Sequence, residues 1–392
     1  MQTLAYLDHA ATSPVDPRVA AAMQPWLEER YGNPSALHAR GRAALAAIEE
    51  ARERVAAALG CAPAEIVFTS GGTESVNAAI KGIALARKLA RLGSSVVVSA
   101  IEHHAVLHAS EWLERFGCAR LVVDVDGRGV VDPDTVAATL RPDVGLVSVM
   151  LANNEVGTVQ PVREIVAAVR ARAASLGIDV AVHTDAVQAA RWLPLNVEEV
   201  GVDALSLSAH KFGGPPGVGV LYLRRGVPFL EQISGGGQER QRRAGTENVP
   251  GIVGTGLALE LAQRERQSNV RRAAALRARL VAGVRQALPE ARLHGEGAEV
   301  LPSIASFTVP GVDGEELVQA LDVLGVAASS GSACASVSWE PSHVLLAMGL
   351  SLEEAVGAVR FSFGPETTEA EIDAAVAALP RAVEMARAVV SR

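Results

Sequence analysis

Cysteine is scarce in this chain: Cys61, Cys118 and Cys334 are the only three in 392 residues. So few, so scattered, they exclude a disulfide framework and a thiolate zinc site, and they suit a reducing compartment. Aromatic residues amount to only 4%, so much of any core must be Ala, Val and Leu. Excess positive charge is missing too. Against 44 Asp and Glu stand 36 Lys and Arg, a formal net of −8, which opposes a broad nucleic-acid-binding surface. No apolar run approaches the roughly 18 residues needed to span a bilayer. The opening MQTLAYLDHAATSP has neither the basic head nor the apolar stretch of a signal peptide. The expectation is a cytoplasmic protein with no membrane association and no direct nucleic-acid partner. What the chain does have is apolar material, 49% of it, and a length worth two to three domains at about 150 residues each. Disorder of the whole chain is excluded at this hydrophobicity.

Short apolar runs alternate with helical segments between residues 60 and 225. IVFTS (66–70), VVVSA (96–100), LVVDVD (121–126), GLVSVML (145–151), DVAVHTDA (179–186), ALSLSAHK (204–211) and GVGVLYLRR (217–225) read as strands. A helix is predicted over 73–93, another ending at Gly117, and a third over 161–177. This rhythm predicts an α/β fold, a mostly parallel sheet covered by helices on both faces. After about Gly251 the texture becomes Arg- and Ala-rich, and 257–288 reads as one long helix or two. SIASFTV (303–309) and GVAASSGSAC (325–334) supply strand candidates. The last helical stretch, 369–390, is expected to be interrupted near Pro380. A large domain over 15–255 is predicted, with residues 1–14 and 256–392 forming a smaller α/β domain.

Four motifs carry chemistry. Ser70-Gly71-Gly72-Thr73 follows a strand and opens a helix, a place where backbone amides can meet an anion. Thr73 could cap that helix or donate a hydroxyl to phosphate, and the turn lacks the nucleotide P-loop pattern. His183-Thr184-Asp185-Ala186-Val187-Gln188 ends a strand, where open α/β proteins place their ligands. Ser208-Ala209-His210-Lys211-Phe212-Gly213-Gly214 ends another, with Lys211 before a glycine-rich loop. Ser329-Ser330-Gly331-Ser332-Ala333-Cys334-Ala335-Ser336 sets a cysteine among small and polar residues, unlike a buried core thiol. Cys61 and Cys118 read as structural. Lys211, Asp185 and the upstream phosphate-type turn together match the needs of pyridoxal 5'-phosphate. That cofactor wants an amine for its aldehyde, a carboxylate for its ring nitrogen and an anchor for its phosphate.

With these motifs in view the chain resembles the cysteine desulfurases of NifS/IscS type that serve iron–sulfur cluster assembly. These fall within the class V aminotransferase-like enzymes of pyridoxal-phosphate fold type I. The resemblance runs from LDHAATSPVDPRV (7–19) to VRFSFGPETTEAEI (359–372), and SSGSAC (329–334) with EPSHVLLAMG (340–349) points to the cluster-assembly subgroup. It implies that Lys211 links the cofactor as a Schiff base, Asp185 pairs with its ring nitrogen and His103 stacks over the ring. Gln188 would bond the ring's phenolic oxygen, with Asn154 of NNEVG nearby. Gly72, Thr73, Ser208 and His210 would hold the phosphate, and Thr246 of RRAGTENV would reach it from the other subunit of a homodimer. Arg360, helped by Asn33 of YGNPS and by Asn154, would bind the substrate carboxylate.

The implied reaction converts L-cysteine to L-alanine. Lys211 removes the α-proton, His103 carries protons near working pH, and the Cys334 thiolate takes the sulfur as a persulfide. The acceptors would be an iron–sulfur scaffold, with a transient cluster contact through Cys334, or other proteins such as those of tRNA thiolation. No resident metal is expected. Two positions depart from the family pattern: Ala335 stands where Thr is commoner, and Pro216 where Lys is. The rivals are a selenocysteine lyase, an aminotransferase, which would need a keto acid, and a non-catalytic sulfur carrier or redox sensor, which would stay colourless with the cofactor.

Overall fold

The computed structural model describes residues 5–330 and 341–390. Its strands are β1 (Ala5–Tyr6), β2 (Ile66–Thr69), β3 (Ser95–Ser99), β4 (Arg120–Val123), β5 (Val144–Ser148), β6 (Ala181–Asp185), β7 (Ala204–Ser208) and β8 (Gly219–Leu223), followed by β9 (Arg292–Leu293), β10 (Ile304–Thr308), β11 (Val326–Ala327), β12 (Ser329–Ser330) and β13 (Ala358–Ser362). Seven of them form one sheet in the order β2-β8-β7-β6-β5-β3-β4. β8 is antiparallel to both its neighbours and the remaining pairs are parallel. All the others therefore point one way, and their carboxyl ends share an edge. Strands such as SVVVS and VGLVS are buried along their whole length, as expected when helices cover both faces. The fold is α/β.

A four-stranded antiparallel sheet, β12-β13-β10-β9, lies with the C-terminal helices. β1 pairs in parallel with β11, so the start of the chain packs with its end. A separate apolar cluster joins Ala5 and Leu7 to Leu280, Phe307, Leu317, Phe361 and Leu379. Helix Val249–Arg264 instead sends Leu259, Leu261 and Ala262 into the large sheet's core. The next helix, Arg266–Ala287, is shared: Ala273 packs in the same core, and Leu276, Leu280 and Val284 join the other cluster. The stretch 257–288 is thus divided between two helices.

Two helical expectations change. Segment 73–93 is not one regular helix: Gly72–Asn77 passes into a π-helical turn, Ala78–Gly82, before Ile83–Leu89. Gly82 abuts residues 229–230, and a Cβ there would lie 2.6 Å from Phe229 Cε2 and 2.7 Å from the Leu230 carbonyl. Such turns recur at functional sites. Conversely, Glu369–Val390 runs unbroken through Pro380. The lost hydrogen bond costs about 3 kcal/mol. It is offset by the buried face of Ile372, Ala375, Leu379, Ala382, Val383 and Ala386, which continues past the proline.

Arg52 and Glu239 form a bidentate ion pair, 2.8 Å at each contact, with side chains 3% and 2% exposed. Glu239 also accepts from Phe68 N–H. The pair holds Glu239, Arg240 and Gln241 at positive φ (45°, 55° and 64°), where non-glycine residues are strained. Removing one partner strands a buried charge. Glu239→Ala should therefore cost about 3–5 kcal/mol of stability, read as a lowered midpoint in denaturant.

Candidate active site

The shared strand edge opens into a cavity of about 1220 Å³. Gly72 and Thr73 enter it from the turn after β2, His103 from beyond β3, and Asn154 from beyond β5. Asp185 is the last residue of β6, Ser208 the last of β7, and His210 and Lys211 sit on the 3₁₀ turn that follows. Gln188 and Arg360 complete the lining. Residues far apart in sequence meet here because parallel strands stack their carboxyl ends in register. Asn33 and Thr246 are exposed and do not line the cavity of their own chain; Asn33 Oδ1 accepts instead from Ser35 N–H. Cys334 lies outside the described residues.

Asp185 is buried, and burial pushes its carboxyl up to about 6, partly offset by the Lys211 charge. Its hydrogen bond comes from Val187 N–H at 2.9 Å. Lys211 Nζ donates to the carbonyls of Ala10 and Ala11. Gln188 Nε2 donates to Ala10 O at 2.9 Å, and His210 Nδ1 pairs with Thr12 Oγ1 at 3.0 Å. Beneath Asp185, His183 bridges the Ser148 and Ser206 hydroxyls at 2.8 and 2.9 Å, tying β5, β6 and β7 together.

His103 caps helix His104–Glu114, its Nδ1 accepting from Ala105 N–H at 3.0 Å. Burial first, then the Lys211 charge and the neighbouring imidazoles, push it down to about 4. Each of these effects favours the neutral ring. Thr73 is not the helix cap. The cap position is Gly71, which offers no side chain, so the threonine hydroxyl remains at the cavity. Arg360, 3% exposed, is tied to Asn154 O at 2.8 Å and to Asp8 Oδ1 at 2.9 Å.

Some lining residues escaped sequence reasoning. Glu155, next to Asn154, is buried and pushed up to about 7 by burial, and it accepts from the Ser342 hydroxyl. Lys81 sits on the π-helical turn with Nζ 4.2 Å from the Trp112 ring centroid, and both line the cavity. Glu155 had a signal in NNEVG. The sequence places Lys81 too far along its helix to serve the Gly72–Thr73 turn, yet it lines the same cavity. Cys61 and Cys118 are thiols raised by burial, Cys61 to about 12, which opposes reactivity.

These residues fit pyridoxal phosphate. A buried carboxylate faces a cavity it shares with a lysine amine, and hydroxyls of Thr73 and Ser208 flank the closely packed Gly72. A Cβ on Gly72 would lie 3.1 Å from both Ser208 Cβ and Val187 Cγ2.

The aminotransferase class-V family model matches residues 5–375. A relative from Dictyoglomus turgidum, "Cysteine desulfurase IscS", is 45% identical over 389 residues, 99% of this chain and 97% of its own. Among solved structures, a NifS-like protein superposes with a TM-score of 0.90 at 38% identity, covering 97% of this chain and all of that one. Another, "SspA in complex with cysteine", gives 0.81 at 35% identity, covering 93% and 99%. The chain therefore belongs to the class-V aminotransferase family and, within it, to the pyridoxal-phosphate-dependent cysteine desulfurases.

Proposed function

We propose that this cysteine desulfurase converts L-cysteine to L-alanine, passing the sulfur to Cys334 as a persulfide for iron–sulfur cluster assembly and, through other acceptors, for tRNA thiolation. The observation that carries the reading is Lys211 and the buried Asp185 in one cavity, beside the Gly72–Thr73 turn. When bound, pyridoxal phosphate supplies a covalent anchor for the substrate's amino group and an electron sink for its α-carbon.

The side chains supply the rest. Lys211 holds the cofactor and then moves the α-proton. Asp185 would pair with the cofactor's ring nitrogen, whose positive charge would offset the burial that raises its pKa. His103 would stack over the ring, and Gln188 would donate to its phenolic oxygen. Gly72, Thr73, Ser208 and His210 hold the phosphate. Exposed Thr246 is suited to complete that site in a second copy of the chain, making the working unit a homodimer. Arg360 and Asn154, with Asn33, bind the carboxylate of cysteine. The Cys334 thiolate attacks the substrate sulfur: a sulfur–sulfur bond forms, the carbon–sulfur bond breaks, and the carbon fragment leaves as alanine after protonation.

Among the described residues no helix is long and apolar enough to cross a membrane. Action in the cytoplasm, delivering sulfur to scaffold proteins, accords with the absence of disulfide-type cysteine spacing. The test is intact mass spectrometry of the cofactor-loaded enzyme after L-cysteine without added thiol. One extra sulfur on the Cys334 peptide, with free alanine in solution, is expected. Alanine without protein-bound sulfur would overturn the assignment.

A further inference from the structure

Residues Asp8 to Thr12 touch four side chains of the cavity. Asp8 reaches Arg360, Ala10 O receives Gln188 and Lys211, Ala11 O receives Lys211, and Thr12 meets His210. The segment is itself held firmly. Leu7 N–H donates to Ala327 O at 2.9 Å, Ser362 N–H to Leu7 O at 2.7 Å, and Ala10 N–H to Ser362 Oγ at 2.8 Å. Arg360 lies two residues before Ser362 on the same strand, β13. Asp8 and Arg360 thus face each other from backbones bonded together, and the pair cannot drift apart without breaking that ladder.

A guanidinium has five N–H donors. Here one Nη1 donor goes to Asn154 O and one Nη2 donor to Asp8, while Nε is buried without a partner among the described residues. Enough donors remain for a bidentate carboxylate. The two ties fix the plane in which those donors are offered, and a long, otherwise mobile side chain is ordered before ligand arrives.

We propose that Asp8 is a positioning residue for recognition of the substrate's α-carboxylate, holding the Arg360 guanidinium in its receiving orientation. This rests on Arg360 being the carboxylate receptor. Asp8 has an opposing effect as well, since its negative charge repels an incoming carboxylate. Orientation outweighs repulsion here, because the charge that remains buried without Asp8 would otherwise seek new partners, with Glu155 the nearby carboxyl coupled to it. An asparagine at position 8 separates the two effects: it keeps an oxygen for Nη2 and discards the charge.

The experiment is calorimetric titration of the cofactor-loaded enzyme with L-alanine and with L-alaninamide, which lacks the carboxylate. Asp8→Ala should weaken L-alanine binding about tenfold, the scale for losing one partner of a buried charged hydrogen bond. Asp8→Asn should remain within about threefold of the unaltered protein, the range left once that hydrogen bond is kept. L-Alaninamide should bind all three alike. The proposal is overturned if Asp8→Ala binds L-alanine as well as or better than the parent, or loses L-alaninamide in equal measure, since the effect would then be general damage. Arg360→Gln is the control for the underlying reading. If it leaves L-alanine binding intact, Arg360 is not the receptor, whatever Asp8 does.

Discussion

Replacing Lys211 with alanine is expected to lower L-cysteine turnover by roughly 10³-fold or more, the scale of losing a group that serves as both nucleophile and proton-transfer base. The side chain stands on the short turn after β7, in the same cavity as Asp185 and close enough to depress that carboxyl's raised pKa. Alanine removes the amine without disturbing β7, the buried strand that precedes it. The phosphate contacts proposed for Gly72, Thr73, Ser208 and His210 would remain, so the variant should still take up cofactor. Borohydride reduction followed by peptide mass analysis distinguishes the two proteins. The parent should carry a reduced adduct at residue 211, and the variant should carry none while its alanine output falls to background. Turnover within tenfold of the parent would remove Lys211 from the mechanism.

Cys334→Ser should eliminate persulfide formation while leaving the cofactor's absorbance in place. A serine hydroxyl is far less nucleophilic toward sulfur than a thiolate and cannot store the product as a sulfur–sulfur bond. The two other cysteines offer no substitute. Cys118 is 2% exposed, and burial pushes the Cys61 thiol up to about 12. The measurement pairs absorbance after cofactor reconstitution with intact mass after L-cysteine. Normal colour, unchanged mass and loss of catalytic alanine are expected. Full alanine production by the serine variant would show that the sulfur leaves by another route. Together the two replacements separate the half of the reaction at the α-carbon from the half at sulfur.

The parallel-sheet architecture was legible from the chain alone because buried strands such as VGLVS and ALSLS are short, largely apolar and spaced by helical segments. The chemistry was legible because Lys211, Asp185 and the Gly72–Thr73 turn each stand at a strand end, where a parallel sheet must bring them to one edge. Local signals misled where tertiary packing dominates. Pro380 looked like a break, yet a continuous apolar face carries the helix through it. Gly82 looked like an ordinary helix residue, yet the approach of Phe229 and Leu230 accompanies a π-helical turn that carries Lys81 toward Trp112.

The amino-acid sequence by itself determined the fold class and the groups suited to pyridoxal phosphate, through residue type and short-range spacing, and the family, through the resemblance of its motifs. Only the tertiary structure decided the burial that lowers the pKa of His103 and the partnering of Arg360 by Asp8, 352 residues away. Both depend on which distant groups share a buried space, and burial and long-range charge leave no trace in local spacing.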